Sequence, residues 1–258
     1  MEKKLLEHIN LLKEKVFQIE TKWPQFKLLL NDIINITNDL EHEKNIISLE
    51  RNHLYGGFSL FAPVFKYQNF ISIDCSPSSA EERGAYNKDM VDDPRFIKIP
   101  TKYRFDIESI DLDSNIADMI LVPNLIHHIK NQSKMFEEFG RLLKKGGSVY
   151  IFEPLVREIH QAPDDFVRYT PHGLEEELRK KGFSNFKTNT EGGPFQVISY
   201  CWSQALQYIP KKDRKEIKNW YEDKHFKFLM DLDKKYKNNL DRKFTTFPAS
   251  YSLLAKKV

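Results

Sequence analysis

The sequence predicts an α/β fold with a mostly parallel sheet and helices on both faces. The main observation is a strand–helix–strand unit in residues 117–154. Residues 119–122 and 149–152 are apolar runs of the length of a buried strand, with an amphipathic helical pattern between them. Two more apolar runs, at residues 45–49 and 70–74, precede polar turns. The carboxyl ends of parallel strands share one edge of the sheet, where open α/β folds bind ligands.

The helix of this unit has apolar residues at spacings of three and four, and charged residues on its other face. The apolar residues are Met135, Phe136, Phe139, Leu142 and Leu143. We expect Gly146-Gly147 to end the helix, because glycine readily adopts the left-handed conformation of a helix terminus.

Residues 117–154 contain four motifs in sequence: the strand start Ala117-Asp118, the turn NLIHHI, the helix end RLLKKGG and the strand end FEP. Together they resemble class I S-adenosyl-L-methionine (SAM)-dependent methyltransferases of the methyltransferase type 11 group. The resemblance implies a Rossmann-like fold with a seven-stranded, mostly parallel sheet. It also implies SAM as the cofactor and S-adenosyl-L-homocysteine (SAH) as the product. It is firm over residues 45–183 and weaker beyond them.

Three segments follow from this interpretation. Residues 1–44 form an N-terminal helical cap, residues 45–198 the SAM-binding core, and residues 199–258 helices and a closing strand of the same domain. We expect both flanks to roof the acceptor site. The cap should contain a second helix over residues 23–40 and a first helix with one apolar side. The apolar side of the first helix comprises Leu5, Leu6, Ile9, Leu12 and Val16.

Composition argues against several classes of function. With 40 basic and 37 acidic side chains the formal charge is +3, which favours neither nucleic acid nor a membrane surface. No apolar run reaches the roughly 18 residues of a membrane span. Cys75 and Cys201 lack metal-ligand spacing. We therefore expect a cytoplasmic protein in a reducing compartment, with neither a disulfide framework nor a metal site.

The segment after the first strand reads ERNHLYGG, where the resembling proteins carry a (D/E)xGxGxG loop that approaches the cofactor. Glu50 takes the acidic place, but Arg51 and Asn52 stand where glycine is expected. Asn52 could still adopt a positive φ. Gly56 and Gly57 either let the backbone approach the cofactor closely or form an ordinary turn, and the sequence favours neither interpretation. Glu50, Asn52, Gly56 and Gly57 are thus predicted to bind the cofactor.

Asp74 ends the second strand, where an acid in the resembling proteins binds the ribose hydroxyls. Capping of the next turn is the alternative, and a nicotinamide dinucleotide would use the same acid. Asp106 and Ile107 match the pair that contacts adenine in the family. Glu108 and Asp111 are alternatives in other registers, and a solvated acidic loop competes with this interpretation.

The turn after the fourth strand contains Asn124, His127 and His128. The resemblance implies that Asn124 and His128 contact the cofactor. His127 is a candidate base, because a histidine can take a proton from a substrate hydroxyl near neutral pH. Adjacent histidines rarely ligate one metal together, so we expect no metal site here.

The segment EIHQAPDDFVRYTPHGLEEELRKKGF resembles the family pattern LHxxPxDYxRYTxxGLxxLLxxAGF. Its second half is explained by a helix that Thr170 caps, with Pro171 at the first position and Gly182 beyond the end.

The first half of that segment should border the acceptor pocket. His160 is the first choice for the general base. Asp164, Arg168 and Tyr169 are predicted to bind the substrate, with Arg168 holding an anionic group. An Asp164–Arg168 ion pair that only fixes the loop is the alternative.

The sequence therefore predicts a SAM-dependent methyltransferase of the EC 2.1.1 class. No DPPY-like or NPPY-like motif follows the fourth strand, which favours an oxygen acceptor. By analogy with relatives that carry the same loop, the acceptor is a sugar, sugar-nucleotide or phosphorylated precursor in bacterial surface-polysaccharide biosynthesis. One alternative is a degenerate methyltransferase-like protein with a binding or scaffold role. A dinucleotide-dependent oxidoreductase is disfavoured, because GxGxxG is missing.

Overall fold

The computed structural model describes residues 2–17, 26–76, 92–159, 161–236 and 247–258. The strands are β1 (Asn45–Glu50), β2 (Phe58–Ser59), β3 (Asn69–Asp74), β4 (Ile99–Pro100), β5 (Tyr103–Arg104), β6 (Ala117–Pro123), β7 (Leu143–Pro154), β8 (Phe183–Glu191) and β9 (Ser250–Lys257). The helices are α1 (Glu2–Phe17), α2 (Phe26–Asp39), α3 (Gln132–Leu142), α4 (Pro171–Lys180), α5 (Pro194–Ala205), α6 (Lys211–Tyr221) and α7 (Lys227–Tyr236). Shorter helical turns cover Asn52–Tyr55, Ile126–His128, Leu206–Tyr208 and Glu222–Phe226.

The main sheet contains seven described strands in the order β5-β3-β1-β6-β7-β9-β8. Its strands run parallel except β9, which is antiparallel to both β7 and β8. This confirms the predicted seven-stranded, mostly parallel sheet. From β1 the chain proceeds outward to β3 and β5, whereas β6 returns to the other side of β1 and is followed by β7. The topological switch point therefore lies between β1 and β6, which is where open α/β sheets form a ligand crevice.

Each strand sends alternate side chains to opposite faces of the sheet, and both faces are covered by helices. α3 and α4 cover one face, which comprises Ile47, Leu49, Ile73, Ile120, Val122, Val149 and Ile151. α1 and α2 cover the other face, which comprises Ile46, Met119, Leu121, Tyr150 and Phe152.

The strand–helix–strand unit is present, but α3 is shorter than expected. It ends at Leu142, and the buried Leu143 already pairs with Ala117 of β6, so the prediction that Gly146-Gly147 ends the helix is wrong. The glycines serve β7 instead. Gly146 has a φ of 76°, and a Cβ on Gly147 would lie 2.9 Å from the carbonyl oxygen of Lys144. The chain changes from helix to strand at Leu143 because this residue is buried in the sheet and pairs with Ala117.

The predicted limits of α4 are confirmed. Thr170 Oγ1 accepts a hydrogen bond from the backbone N–H of Gly173 at 3.1 Å, and Pro171 is the first helical residue. Gly182 has a φ of 82°, the left-handed conformation of a helix terminus.

The N-terminal helices pack on a sheet face, and the predicted side of α1 is buried in part, since Leu12 is buried and Ile9 packs against the same core. Leu6 is 59% exposed, whereas His8, Leu11 and Leu12 are buried. His8 Nδ1 accepts from the N–H of Ile97 at 3.1 Å, so its Nε2 donates to the carbonyl oxygen of Leu60 at 3.0 Å. The second helix begins at Phe26, and residues 18–25 lie outside the described ranges. No described helix is both long and apolar enough to cross a bilayer.

Asp32 connects α2 to the sheet. Its Oδ2 accepts hydrogen bonds from Tyr150 Oη in β7 at 3.0 Å and from Ser252 Oγ in β9 at 2.5 Å. Burial raises the pKa of the Asp32 carboxyl, while the bonds from Ser252 and Tyr150 oppose the rise. The Asp32 carboxylate thus joins α2 to β7 and β9, two strands that lie more than 100 residues away along the chain.

We expect Asp32→Ala to lower the free energy of unfolding by about 1–3 kcal/mol, because the hydroxyls of Tyr150 and Ser252 lose their acceptor inside the protein. Urea denaturation followed by circular dichroism measures this change. Asn31→Ala, at an exposed position of the same helix, is the matched control and should change stability by less than about 0.5 kcal/mol. Equal effects of the two substitutions would contradict the role of Asp32.

Candidate functional site

The candidate site lies at the carboxyl edge of the sheet, where β1, β3, β6 and β7 end. Each of these strands is followed or ended by a polar residue. Glu50 ends β1, Asp74 ends β3, Asn124 follows β6, and Glu153 is near the end of β7. The predicted convergence of these segments at one edge therefore follows from the sheet order.

A cavity of about 570 Å³ opens at this edge, a volume typical of small-molecule sites. Predicted residues Asp106, Ile107, His128 and Asp164 line it. Asp106 is exposed, and its Oδ1 accepts from the N–H of Glu108 at 3.0 Å. The remaining lining residues are Cys75, Ser76, Arg104, Phe105, Glu108, Ile129, Lys130 and Phe166. Asp106 and Ile107 thus lie together in the cavity lining, on the side of the site next to β3 and β5.

Asp74 performs the capping role that the sequence left open. Its Oδ1 accepts a hydrogen bond from the N–H of Ser76 at 3.0 Å and another from Ser76 Oγ. Ser76 Oγ also contacts His53 Nδ1, which lies 4.0 Å from Asp74 Oδ1. Ser76 lines the cavity, so this network places the carboxylate directly behind the cavity wall. A contact between Asp74 and a cofactor stays a prediction.

The segment after β1 takes a path that differs from the expected one. Asn52 does not have the positive φ that the sequence left open; it begins the helical turn Asn52–Tyr55 instead. Its Nδ2 donates to Ser72 Oγ at 2.6 Å and to Thr101 Oγ1. The left-handed conformations fall on Gly56 and Gly57, with φ of 70° and 83°. The buried side-chain amide of Asn52 therefore holds the loop by hydrogen bonds. The left-handed turn of the loop occurs at Gly56 and Gly57.

Glu50, at the end of β1, holds this loop through a hydrogen bond to Ser59. Its carboxylate is only 4% exposed and accepts from Ser59 Oγ at 2.9 Å, while Ser59 Oγ accepts from the N–H of Ala62 at 3.0 Å. Burial raises the pKa of Glu50 to about 7, against the lowering effect of its serine hydrogen bonds. The carboxylate thus acts on the loop through Ser59 in this structure.

Glu153 was part of the FEP motif, but the sequence assigned it no role. Its Oε1 accepts from the N–H of Ile126 at 2.8 Å, and its Oε2 lies 2.5 Å from His127 Nδ1. Burial raises the pKa of Glu153 to about 8 and holds the pKa of His127 well below its usual value. Both shifts favour an uncharged pair. An acid inside an otherwise apolar strand was the signal that could have identified Glu153.

His127 and His128 have different surroundings although they are adjacent. His127 is 1% exposed and does not line the cavity, whereas His128 does. His128 Nε2 lies 2.6 Å from Arg51 Nη1 and must accept, because a guanidinium can only donate. His128 Nδ1 then donates to the carbonyl oxygen of Asp164. His128 is therefore a neutral bridge between the segment after β1 and the segment after β7.

Arg168 and Tyr169 lie away from the cavity lining. Arg168 pairs with Asp165, at 2.5 Å from Nη1 and 2.8 Å from Nη2, so the alternative that named Asp164 as its partner is wrong. The carbonyl group of Asp164 is bonded to His128 instead. Tyr169 packs against the core, with its ring centroid 6.3 Å from that of Phe136. Their substrate contacts stay predictions.

His160, the predicted general base, lies outside the described residues. Its neighbour Gln161 is described, and sequence analysis did not single it out. Gln161 has a φ of 54° and accepts a hydrogen bond from Arg51 Nη2. Within the described part of the chain, no group of three or more histidine, cysteine, aspartate or glutamate side chains could hold a metal ion.

Comparison with known proteins finds a methyltransferase sequence profile and methyltransferase structures. Residues 56–151 match the sequence profile of a family described as a methyltransferase domain. A SAM-dependent methyltransferase from Archaeoglobus fulgidus has a similar structure, with a TM-score of 0.52 and 11% identity over 94% of this chain and 99% of that one. A candidate sarcosine dimethylglycine methyltransferase from Galdieria sulphuraria gives a TM-score of 0.51 and 15% identity, over 90% and 85%.

A third structure is phosphoethanolamine N-methyltransferase 2 from Haemonchus contortus in complex with S-adenosyl-L-methionine. It has a TM-score of 0.47 and 14% identity, over 88% of this chain and 51% of that one. No curated protein matches the sequence. The two structures with TM-scores above 0.5 share the fold of this chain. Fold and matched domain together support a class I SAM-dependent methyltransferase.

We expect Glu153→Ala to lower the free energy of unfolding by about 2–4 kcal/mol, because His127 and the backbone N–H of Ile126 lose a buried partner. Glu153→Gln keeps one acceptor oxygen and should cost less. Chemical denaturation measures both. Glu216→Ala, at an exposed position of α6, is the control. An alanine variant as stable as the control would show that Glu153 does not hold the turn.

Glu50 should also make stability depend on pH. Its native pKa of about 7 exceeds its ordinary value of 4.5, so the native state binds the proton more tightly than the unfolded chain. Its contribution to stability is therefore fully present below pH 4.5 and is lost as pH rises to about 7. Relative to Glu50→Gln, the wild type should lose about 2–3 kcal/mol between roughly pH 5 and pH 8.

Denaturant titrations of both proteins across this pH range test that expectation. Glu176→Gln, at an exposed position of α4, should leave the wild-type pH profile unchanged. A difference between wild type and Glu50→Gln that stayed constant with pH would mean that Glu50 is ionised in the native protein.

Proposed function

We propose that this protein is a SAM-dependent methyltransferase that methylates an oxygen atom of a small polar acceptor. The observation that carries the proposal is the cavity of about 570 Å³ at the carboxyl edge of the sheet, beside the switch point. The carboxylate of Asp74 lies behind its wall, and Asp106 and Ile107 belong to its lining. These are the residue types that bind ribose hydroxyls and an adenine ring.

The described residues fit the nucleoside half of this cofactor. Ile107 offers an apolar surface, Asp106 is exposed at the cavity, and the cavity volume suits a small molecule. When bound, the cofactor supplies a methyl group activated on a sulfonium sulfur. The chain then has to hold donor and acceptor in line, and such positioning accounts for much of the rate in this kind of transfer.

A base assists when the acceptor is a hydroxyl group. We propose His160 for this role, as the sequence suggested. His127 is the second candidate, but burial lowers its pKa well below the ordinary value, which keeps it uncharged and makes it a weak base. Its burial and its contact with Glu153 favour a positioning role instead, in which it holds the turn that carries His128.

A sugar, sugar-nucleotide or phosphorylated polysaccharide precursor is the acceptor that we propose. The support is the resemblance of the segment from His160 to Tyr169 to the loop of relatives associated with surface polysaccharides. Arg168 of this segment is the residue that we propose to hold an anionic group of the acceptor.

One observation favours a second candidate function. Arg51 and Asn52 replace the small residues of the cofactor loop, and Arg51 bonds to His128 across the switch point. A protein that had lost cofactor binding and kept a scaffold role would tolerate such a contact. The absence of SAM and SAH binding by a folded protein would support this reading.

Calorimetry with SAM and SAH tests the proposed function. We expect micromolar binding by the wild type and binding weakened at least tenfold, about 1.4 kcal/mol, in Asp74→Asn. Asparagine keeps an oxygen that can cap Ser76, so the loss reports the carboxylate and not the turn. Asp113→Asn, exposed and away from the cavity lining, is the control. Equal binding by wild type and Asp74→Asn would leave Asp74 with the capping role alone.

A further inference from the structure

Arg51 spans the topological switch point. It directly follows β1, and its Nη1 lies 2.6 Å from Nε2 of His128, which belongs to the turn after β6. The side chain is held inside the protein, since Arg51 is only 6% exposed. The chain continues from β1 to β3 on one side and from β6 to β7 on the other, so the crevice between the carboxyl ends of β1 and β6 is where an open α/β sheet places its ligand. A guanidinium group therefore occupies this position.

Arg51 also holds the segment 161–166 over the same edge. Its second terminal nitrogen donates to Oε1 of Gln161, while His128 donates from Nδ1 to the carbonyl oxygen of Asp164. The same segment is further fixed by the N–H of Phe166, which donates to the carbonyl oxygen of His127 at 2.8 Å. Arg51 and His128 thus link the ends of β1 and β6 to the segment that lines one side of the cavity.

The position of Arg51 matters because Arg51 bonds to His128, which lines the cavity. A nucleoside in the cavity would lie among Asp106, Ile107 and His128, and any extension of that ligand toward the switch point would meet the Arg51 side chain. The methionine end of SAM is such an extension. It carries a positively charged sulfonium, and a guanidinium is charged at every accessible pH. Two like charges at a poorly solvated site repel each other strongly.

We propose that Arg51 competes with the methionine end of the cofactor for the switch point and thereby sets cofactor affinity. This inference rests on the proposed function. Binding then displaces the Arg51 side chain from His128 and Gln161 and releases the segment 161–166. The apparent affinity for the cofactor is then lower than the intrinsic affinity, because binding has to break the contacts of Arg51 with His128 and Gln161.

Calorimetry on full-length variants tests the competition. Arg51→Ala removes the competitor and should bind SAH at least tenfold more tightly than the wild type. The gain should be larger for SAM, because SAM alone carries the sulfonium charge. Gln161→Asn should shift affinity in the same direction by a smaller factor. Asparagine tolerates the positive φ at residue 161 and is too short to reach Arg51, so this variant decides the matter if Arg51→Ala does not fold.

Hydrogen exchange measured by mass spectrometry gives an independent readout. The N–H of Asp164 donates to Gln161 at 3.0 Å, so its exchange reports whether the segment is held. In the wild type, SAH should speed exchange in a peptide covering residues 161–169, although a ligand that only packs on a segment slows it. In Arg51→Ala, exchange should already be fast without ligand.

The outcomes separate this inference from the proposed function. Weaker SAH binding by Arg51→Ala would mean that Arg51 contacts the cofactor, and unchanged binding would mean that it does not interfere. Either result overturns the competition and leaves the methyltransferase proposal standing. Binding by Arg51→Ala but not by the wild type would support the competition. No SAM or SAH binding by any of the folded proteins would overturn both proposals.

Discussion

The parallel pairing of β1 with β6 brings the ends of two distant segments to one edge of the sheet. Ile46 lies beside Met119 and Ser48 beside Leu121, so Arg51 and His128 come into contact although 77 residues separate them. Apolar side chains on both faces hold this pairing, with Leu49 and Val122 on one face and Leu121 on the other. The contacts between the loops after β1 and β6 depend on that alignment, because a parallel register determines which loop ends meet.

Buried polar groups then shape the loops at this edge. Glu50 holds the loop after β1 through Ser59, and Glu153 holds the turn after β6 through the N–H of Ile126. Both side chains are buried away from water, and this burial raises the pKa of both carboxyls. A buried acceptor that is shared by a turn rigidifies the turn, since an unmade hydrogen bond there is costly. The part of the cavity wall that His128 forms therefore depends on Glu153, an acid that does not line the cavity itself.

Much of the fold was predictable, because apolar periodicity and capping residues act locally. The strands around residues 45–49, 70–74, 119–122 and 149–152 are present, and Thr170 caps its helix. The end of α3 was predicted wrongly, since the pairing of Leu143 with Ala117 outweighed the glycine signal at Gly146-Gly147. The buried side of α1 was predicted only in part, because His8 is buried with hydrogen bonds to Leu60 and Ile97, residues that no local pattern connects to it.

The sequence by itself determined the α/β class, the strand ends that form the site, and the acidic and histidine residues at those ends. Only the tertiary structure decided how these residues pair. Arg168 bonds to Asp165, Asp164 bonds to His128, and Arg51 reaches across the switch point. The reason is physical. Periodicity and capping depend on neighbours within a few residues, whereas such pairings depend on strand register and loop path, which are fixed when the whole sheet packs.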